Sequence, residues 1–399
     1  MKFNYLYLPL LLLVFGCNES KNSKTFTLNN KTQKSDSEFF VEFEPLSKQY
    51  VDQKRKDIEY YYTKLIGTSD FYGQFLVAKN GKVLFEDYKG YAYYEKKEEN
   101  RKDKPLHIAS VSKVLTAAVV LRLVDEGKIG LDDKVSKYLP NFYFDDITVR
   151  MLLNHRSGLR HYGYFIETDV KWDRSKRITN QDILDLINSG KIHLESKPDT
   201  RFAYCNTNYA LLALIIEKVT KLRYHEAMEK LLFKPLGMKN TFVFDYEKHH
   251  DTVSQTYKAS KLRLAFDHLD LVYGDKNIYS TARDLLKFDL ATYSNHFFSP
   301  KLRKEIYKGY SYEAKGEKNY GLGIRLREWK EAPTLTYHNG WWHGNTSSYI
   351  TMKNDNLTII CLSNKMTHKT YQTKKFLALF NPKYPIKLDN SEINNGANE

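Results

Sequence analysis

The apolar positions of this chain change their period twice. Between 46 and 66 they fall at helical spacing among charged residues, which predicts a first helix. Residues 73–79 and 82–88 read as strands, and the Asn80-Gly81 pair between them favours the backbone of a two-residue hairpin turn. A charged loop at 96–104 follows. A strongly apolar helix then runs from Val111 to Val124 and stops at Gly127, the usual residue at such a break. The middle is helical. Thr148, Thr179 and either Asn206 or Thr207 are placed to cap helices at 149–154, 182–188 and 209–220, because a side-chain oxygen can take an unpaired N–H of the first turn. Pro235-Leu236-Gly237 punctuates a turn, and Thr281 caps a helix at 282–293. Strands return at 320–327, 334–338, 346–353 and 357–363, with a turn at 354–356 and a last helix at 371–380. Strands at both ends with helices between predict an α+β fold. Its antiparallel sheet is built from both termini and flanked by helices, and a mostly helical lobe of about 114–280 is inserted. The folded domain is expected over 46–385, followed by a polar tail at 386–399.

Composition narrows the class. With 42% apolar and 28% charged residues the chain is globular rather than disordered. Its net charge is +14, with Lys and Arg spread along the whole length and no zinc-ligand spacing or RNA-reading aromatic signature. That balance suits work near an anionic membrane or cell-wall polymer better than nucleic-acid recognition. At the N-terminus Lys2 precedes an apolar run at 6–15, then Gly16-Cys17. The run is too short to span a bilayer but suits a signal-peptide core. Val14-Phe15-Gly16-Cys17 resembles the bacterial lipoprotein signal, which implies removal of residues 1–16, lipidation of Cys17 and a membrane anchor. A plain secretory signal is the alternative, and it also exports the chain. Residues 17–45 read as a flexible tether. Cys205 and Cys361 then remain, and their apolar settings predict two free, buried thiols.

The candidate chemistry begins at Ser110-Val111-Ser112-Lys113, the only Ser-x-x-Lys in the 399 residues. On a helix the two side chains share one face, with Cβ atoms about 5–6 Å apart. A serine hydroxyl is a weak nucleophile until a base takes its proton, and a lysine serves when its surroundings disfavour its charge. Tyr204-Cys205-Asn206 lies just ahead of the apolar helix at 209–220, and His338-Asn339-Gly340 lies on a late strand. Each tripeptide pattern recurs elsewhere, at Tyr293, Tyr337 and His161, so order and context carry the weight. Read singly, Tyr204 is a core tyrosine and Asn206 a helix cap. His155, within Asn154-His155-Arg156-Ser157-Gly158, reads as a structural hydrogen-bonder at a turn.

Together, and with Leu152–Leu159 and Tyr320-Gly321-Leu322-Gly323 in support, these motifs resemble the serine β-lactamase and penicillin-binding protein superfamily, in its class-C-like, esterase-containing branch. The resemblance covers about 70–365 and implies a β-lactamase/transpeptidase-like fold. It implies that Ser110 forms an acyl-enzyme and that Lys113 and Tyr204 share the acid–base work. Asn206, His338 and Gly340 would bind substrate, and the backbone N–H groups of Ser110 and Trp341 would hold the oxyanion. Trp341 and Trp342 either pack inside or wall the pocket. No metal or cofactor is implied. The expected substrate is a small ester, an amide or a D-residue-containing peptide, possibly derived from the cell wall. A β-lactamase or D-Ala-D-Ala carboxypeptidase is the alternative, and a non-catalytic ligand-binding protein the rival of another class. One departure matters: antibiotic-directed members usually carry Lys where this chain has His338, whose charge can vary with pH.

Overall fold

The hairpin at Asn80-Gly81 forms as the sequence predicts. Both residues have positive φ, 49° and 73°, the geometry that joins two strands without splaying them. The strands are β1 (Gly73–Lys79) and β2 (Lys82–Lys89). Before them, helix α1 (Lys48–Leu65) starts at Ser47, whose Oγ accepts the Tyr50 N–H at 3.2 Å. The computed structural model describes residue 39 and residues 41–388. The expected signal, Cys17, most of the tether and most of the tail lie outside them.

The late strands are β3 (Lys318–Tyr320), β4 (Arg325–Arg327), β5 (Leu335–Trp342), β6 (Asn345–Met352) and β7 (Leu357–Ser363). With β1 and β2 they form one antiparallel seven-stranded sheet in the order β3-β4-β5-β6-β7-β1-β2. Pairing of β1 with β7, from Gly73↔Ser363 to Lys79↔Leu357, joins the two ends of the domain. Nearly all of β1 is buried because alternate side chains enter two different cores. Phe75 and Val77 pack with α1 and Phe376, whereas Leu76 and Ala78 pack with the larger core that holds helix α2 (Ser112–Asp125). Between the two strand regions lie helices α3 (Asn180–Asn188) and α4 (Asn206–Thr220), and helix α5 (Ala282–Ala291) follows Thr281, whose Oγ1 accepts from the Asp284 N–H.

Four local expectations are corrected. The single strand at 320–327 is two strands, turned at Gly321–Gly323. Gly323 has φ 84°, and a Cβ there would lie 2.2 Å from that of Ala117, so the turn seats the sheet on α2. The strand expected to end at 338 runs to Trp342. The closing helix is a 3-10 helix, Lys369–Leu379, because its buried Thr370, Thr373 and Phe376 recur every third residue. Neither Asn206 nor Thr207 caps α4: the cap is Cys205, without a side-chain bond, and Thr207 Oγ1 instead donates to Arg160 O at 2.7 Å. Cys205 and Cys361 are free and buried.

Candidate active site

Ser110 sits in a single 3-10 turn, Ala109–Val111, that leads directly into α2. Ala109 holds a left-handed backbone, φ 48°. Its N–H donates to His107 Nδ1 at 3.1 Å, and His107 Nε2 meets Asn277 Oδ1 at 3.0 Å. That bond supports a conformation which costs a non-glycine residue free energy. One helical turn on, Lys113 is wholly buried. Its Nζ lies 3.1 Å from Ser110 Oγ and donates to Asp275 O at 2.8 Å. The same ammonium is 5.1 Å from the Tyr204 ring centroid and 5.7 Å from that of Tyr209.

Tyr204 is presented by a turn that the sequence marked for other reasons. His155 is fully buried at φ 59°, and its carbonyl accepts from Ala203 N at 2.9 Å. Its Nδ1 accepts from Cys205 N at 3.1 Å and lies 3.2 Å from Asn208 Nδ2. The ring packs 4.4 Å from that of Tyr204. The turn at 154–159 is thus a template for the segment entering α4, which fits the structural role expected of His155. Asn206 is the first residue of α4, and its buried Oδ1 has no protein partner.

Gly340 brings the third motif against the first. A Cβ at this position would meet Ser347 Oγ at 2.2 Å, Ile108 O at 2.8 Å and Ser110 N at 2.9 Å. Only a residue without a side chain lets β5 pass this close to the Ser110 backbone. Trp341 follows it with 54% exposure and borders an open groove of about 490 Å³ with Leu264, Met366 and Lys258. Trp342 turns inward, donating from Nε1 to Asp270 Oδ1 at 3.0 Å. Of the two tryptophans, Trp342 takes the packing role and Trp341 stays exposed at the groove.

His338 requires a correction. It was expected to line the pocket edge, yet it has no exposed surface. Its Nδ1–H donates to Asn339 O at 2.8 Å, which leaves Nε2 to accept the Tyr320 hydroxyl at 3.0 Å. Burial, with the Arg325 and Lys113 charges adding, pushes its pKa well below the ordinary histidine value, and the ring stays neutral. Burial does the same to His155. Two further contributors escaped sequence reasoning. Arg325 stands with its guanidinium carbon 4.9 Å from the Tyr204 ring centroid. Its signal was a cation two residues beyond the Tyr320–Gly323 string. Asp275 and Lys276 form a buried pair beside Lys113, and adjacent charges between apolar flanks were the available clue. Asp267, Asp270 and His343 offer ligand atoms within 4.8 Å of one another. They already engage protein partners, with His343 Nε2 3.2 Å from Asp267 Oδ2.

A serine on a buried lysine, at the seam between an antiparallel sheet and a helical lobe, is the arrangement of an active-site serine hydrolase. The family model described as Beta-lactamase matches residues 71–380, and the chain belongs to that family, within the serine β-lactamase and penicillin-binding protein superfamily. It is 31% identical over 335 residues to "Penicillin-binding protein 4*" of Bacillus subtilis (strain 168), covering 80% of this chain and 74% of the relative. It is 28% identical over 297 residues to the "Teichoic acid D-alanine hydrolase" of Staphylococcus aureus, covering 73% and 70%. The crystal structure of FmtA from Staphylococcus aureus superposes with a TM-score of 0.68 at 25% identity, over 86% of this chain and 92% of that one. The chain is a hydrolase of this superfamily.

Proposed function

We propose that this hydrolase cleaves small D-alanyl esters, or closely related esters and amides of cell-wall origin, through a covalent acyl-enzyme on Ser110. The observation that carries the reading is the 3.1 Å approach of Lys113 Nζ to Ser110 Oγ, with the Tyr204 ring beside the same nitrogen. In the neutral form Lys113 takes the hydroxyl proton as Oγ attacks the carbonyl carbon, and the Ser110 and Trp341 N–H groups would hold the oxyanion, as the family resemblance implies. Collapse expels the leaving alcohol or amine, which receives a proton through Tyr204 and Lys113. Water then repeats the sequence on the acyl-enzyme, releasing the acid and restoring Ser110. Asn206 would hold a polar group of the acyl part through its amide, whose buried Oδ1 has no protein partner. The D-alanine named in a relative supports the choice of acyl group. The absence of a lysine at His338 favours esters over β-lactams. Export and a lipid anchor at Cys17 belong to the same proposal, since a cell-wall substrate lies outside the cytoplasm; Cys17→Ala should release the protein from membranes.

The test is labelling by a fluorophosphonate and, separately, by a fluorescent penicillin, read by intact mass against Ser110→Ala. Fluorophosphonate adduct on wild type and none on the variant is the expected result. Labelling by neither probe would refute a working nucleophile, and efficient turnover of the penicillin would replace the esterase reading with the β-lactamase alternative.

A further inference from the structure

Asp275 and Lys276 are a pair that stability does not explain. Lys276 Nζ lies 3.7 Å from Asp275 Oδ2, with the two side chains 2% and 0% exposed. The buried Tyr162 hydroxyl bridges them, donating to Asp275 Oδ2 at 2.9 Å and accepting from Lys276 Nζ at 2.8 Å. Taking two charges out of water is costly, and apolar replacements of such pairs are often neutral or stabilising. Here the pairing is also incomplete, because the buried Asp275 Oδ1 has no hydrogen-bond partner. What distinguishes the pair is its place: the Asp275 carbonyl accepts Lys113 Nζ at 2.8 Å, and Lys276 Nζ stacks 4.6 Å over the Trp342 ring at the end of β5. One residue thus holds the lysine with its backbone and carries a buried carboxylate on its side chain.

The charges facing Lys113 can be enumerated element by element. From α4 and the segment before it come the Tyr204 and Tyr209 rings. The turn at 154–159 contributes His155, the next helical segment His161 and strand β5 His338. Burial holds all three below the ordinary histidine range, His161 at about 4, so they are neutral near pH 7. Arg325 on β4 lies with its guanidinium carbon 4.9 Å from the Tyr204 ring centroid. The segment after Gly274 contributes Asp275 and Lys276, of opposite sign.

We infer that the Asp275–Lys276 pair, bridged by Tyr162, is a charge-balanced positioning unit for Lys113: it fixes the ammonium on Ser110 while presenting no net charge to it. The inference rests on the reading of Lys113 as the base for Ser110. Removing one member leaves the other's charge uncompensated, and the sign of the consequence depends on which remains. Lys276→Met leaves a carboxylate that holds the proton on Lys113, so the acid limb of kcat/KM moves to higher pH by about one unit. Asp275→Asn leaves a cation that repels the proton, so the limb moves to lower pH by about the same amount. The double variant returns the limb to its wild-type position.

The assay is the pH dependence of p-nitrophenyl acetate hydrolysis by the folded full chain, together with fluorophosphonate titration of active sites. Limb position does not depend on how much protein is active, so partial unfolding lowers the amplitude without moving the pH. If Lys276→Met does not fold, Lys276→Gln, which keeps a donor toward Tyr162, takes its place. Opposite displacements, cancelled in the double variant, support the inference; displacement in one direction for both variants, or none, overturns it. Loss of labelling in the wild type would instead overturn the hydrolase mechanism, so the two failures are distinguishable.

Discussion

Gly340→Ala is the substitution that most directly probes the seam between the sheet and Ser110. The added methyl would lie 2.8 Å from Ile108 O and 2.9 Å from Ser110 N, where ordinary contact begins near 3.4 Å. Both are backbone atoms that cannot rotate away, so β5 and the 3-10 turn must separate by roughly 0.5 Å to restore van der Waals distances. A misplacement of about 1 Å costs on the order of 100-fold in rate, so half of that predicts a fall in kcat of about tenfold. Overpacking adds a stability loss of about 1–3 kcal/mol. The third close atom, Ser347 Oγ at 2.2 Å, can be removed. Ser347→Ala sacrifices its 2.6 Å bond to Ile108 O, worth about 1 kcal/mol, but leaves the Ser110 contact untouched. The double variant Gly340→Ala/Ser347→Ala should therefore stay slow. Initial rates on p-nitrophenyl acetate, normalised by active-site titration and paired with urea unfolding, separate the two effects. If Gly340→Ala hydrolyses the ester at the wild-type rate per labelled site, the strand is not what positions the Ser110 backbone.

Two other perturbations test the framework around the site. His107 is fully buried, and desolvation draws its pKa from 6.5 to about 4, so the unfolded chain binds its proton first. Stability should be complete above pH 6.5 and fall as the pH drops toward 4, by about 3 kcal/mol from this residue; urea midpoints that stay level across that window would refute it. Asp289 on α5 has no exposed surface and accepts from Tyr349 Oη at 2.7 Å, Lys353 Nζ at 2.9 Å and the Thr358 hydroxyl. Asp289→Ala strands these donors on β6, on β7 and in the turn between them, and should cost about 3–5 kcal/mol in urea unfolding; a loss below about 1 kcal/mol would show the helix is held by packing alone.

The parts legible in the sequence were those dictated by local chemistry. Asn80-Gly81 announces its hairpin because both residues accept positive φ. Ser110 and Lys113 announce their meeting because helical spacing alone brings them together. Features that depend on partners distant in sequence were not legible. The strand expected at 320–327 is broken by a turn that exists because Gly323 must seat against Ala117 on α2. Thr207 looked like a cap and was claimed by Arg160 O instead. Lys276 shows its place only once Tyr162 and Trp342, both distant in sequence, are folded around it.

The replacement of lysine by His338 takes on a different meaning once its surroundings are known. In sequence it suggested a positive charge that comes and goes between pH 5 and 8. Buried without exposed surface, with Nδ1 committed to Asn339 O, the imidazole can take a second proton only at Nε2, where the Tyr320 hydroxyl would have to turn from donor to acceptor. Lys113 and Arg325 oppose the added charge as well. The residue therefore acts as a neutral strut: it holds Tyr320, whose ring packs 4.8 Å from that of His155, which in turn supports Tyr204 at 4.4 Å. Positive charge beside Tyr204 comes instead from Lys113 on one side and Arg325 on another. Neither cation is offered from the His338 position. Under the proposed function, a substrate anion that depends on a cation at that position would find a buried imidazole in its place, whereas an uncharged ester carbonyl would need only the Ser110 backbone, the Gly340 strand and the lysine beneath them.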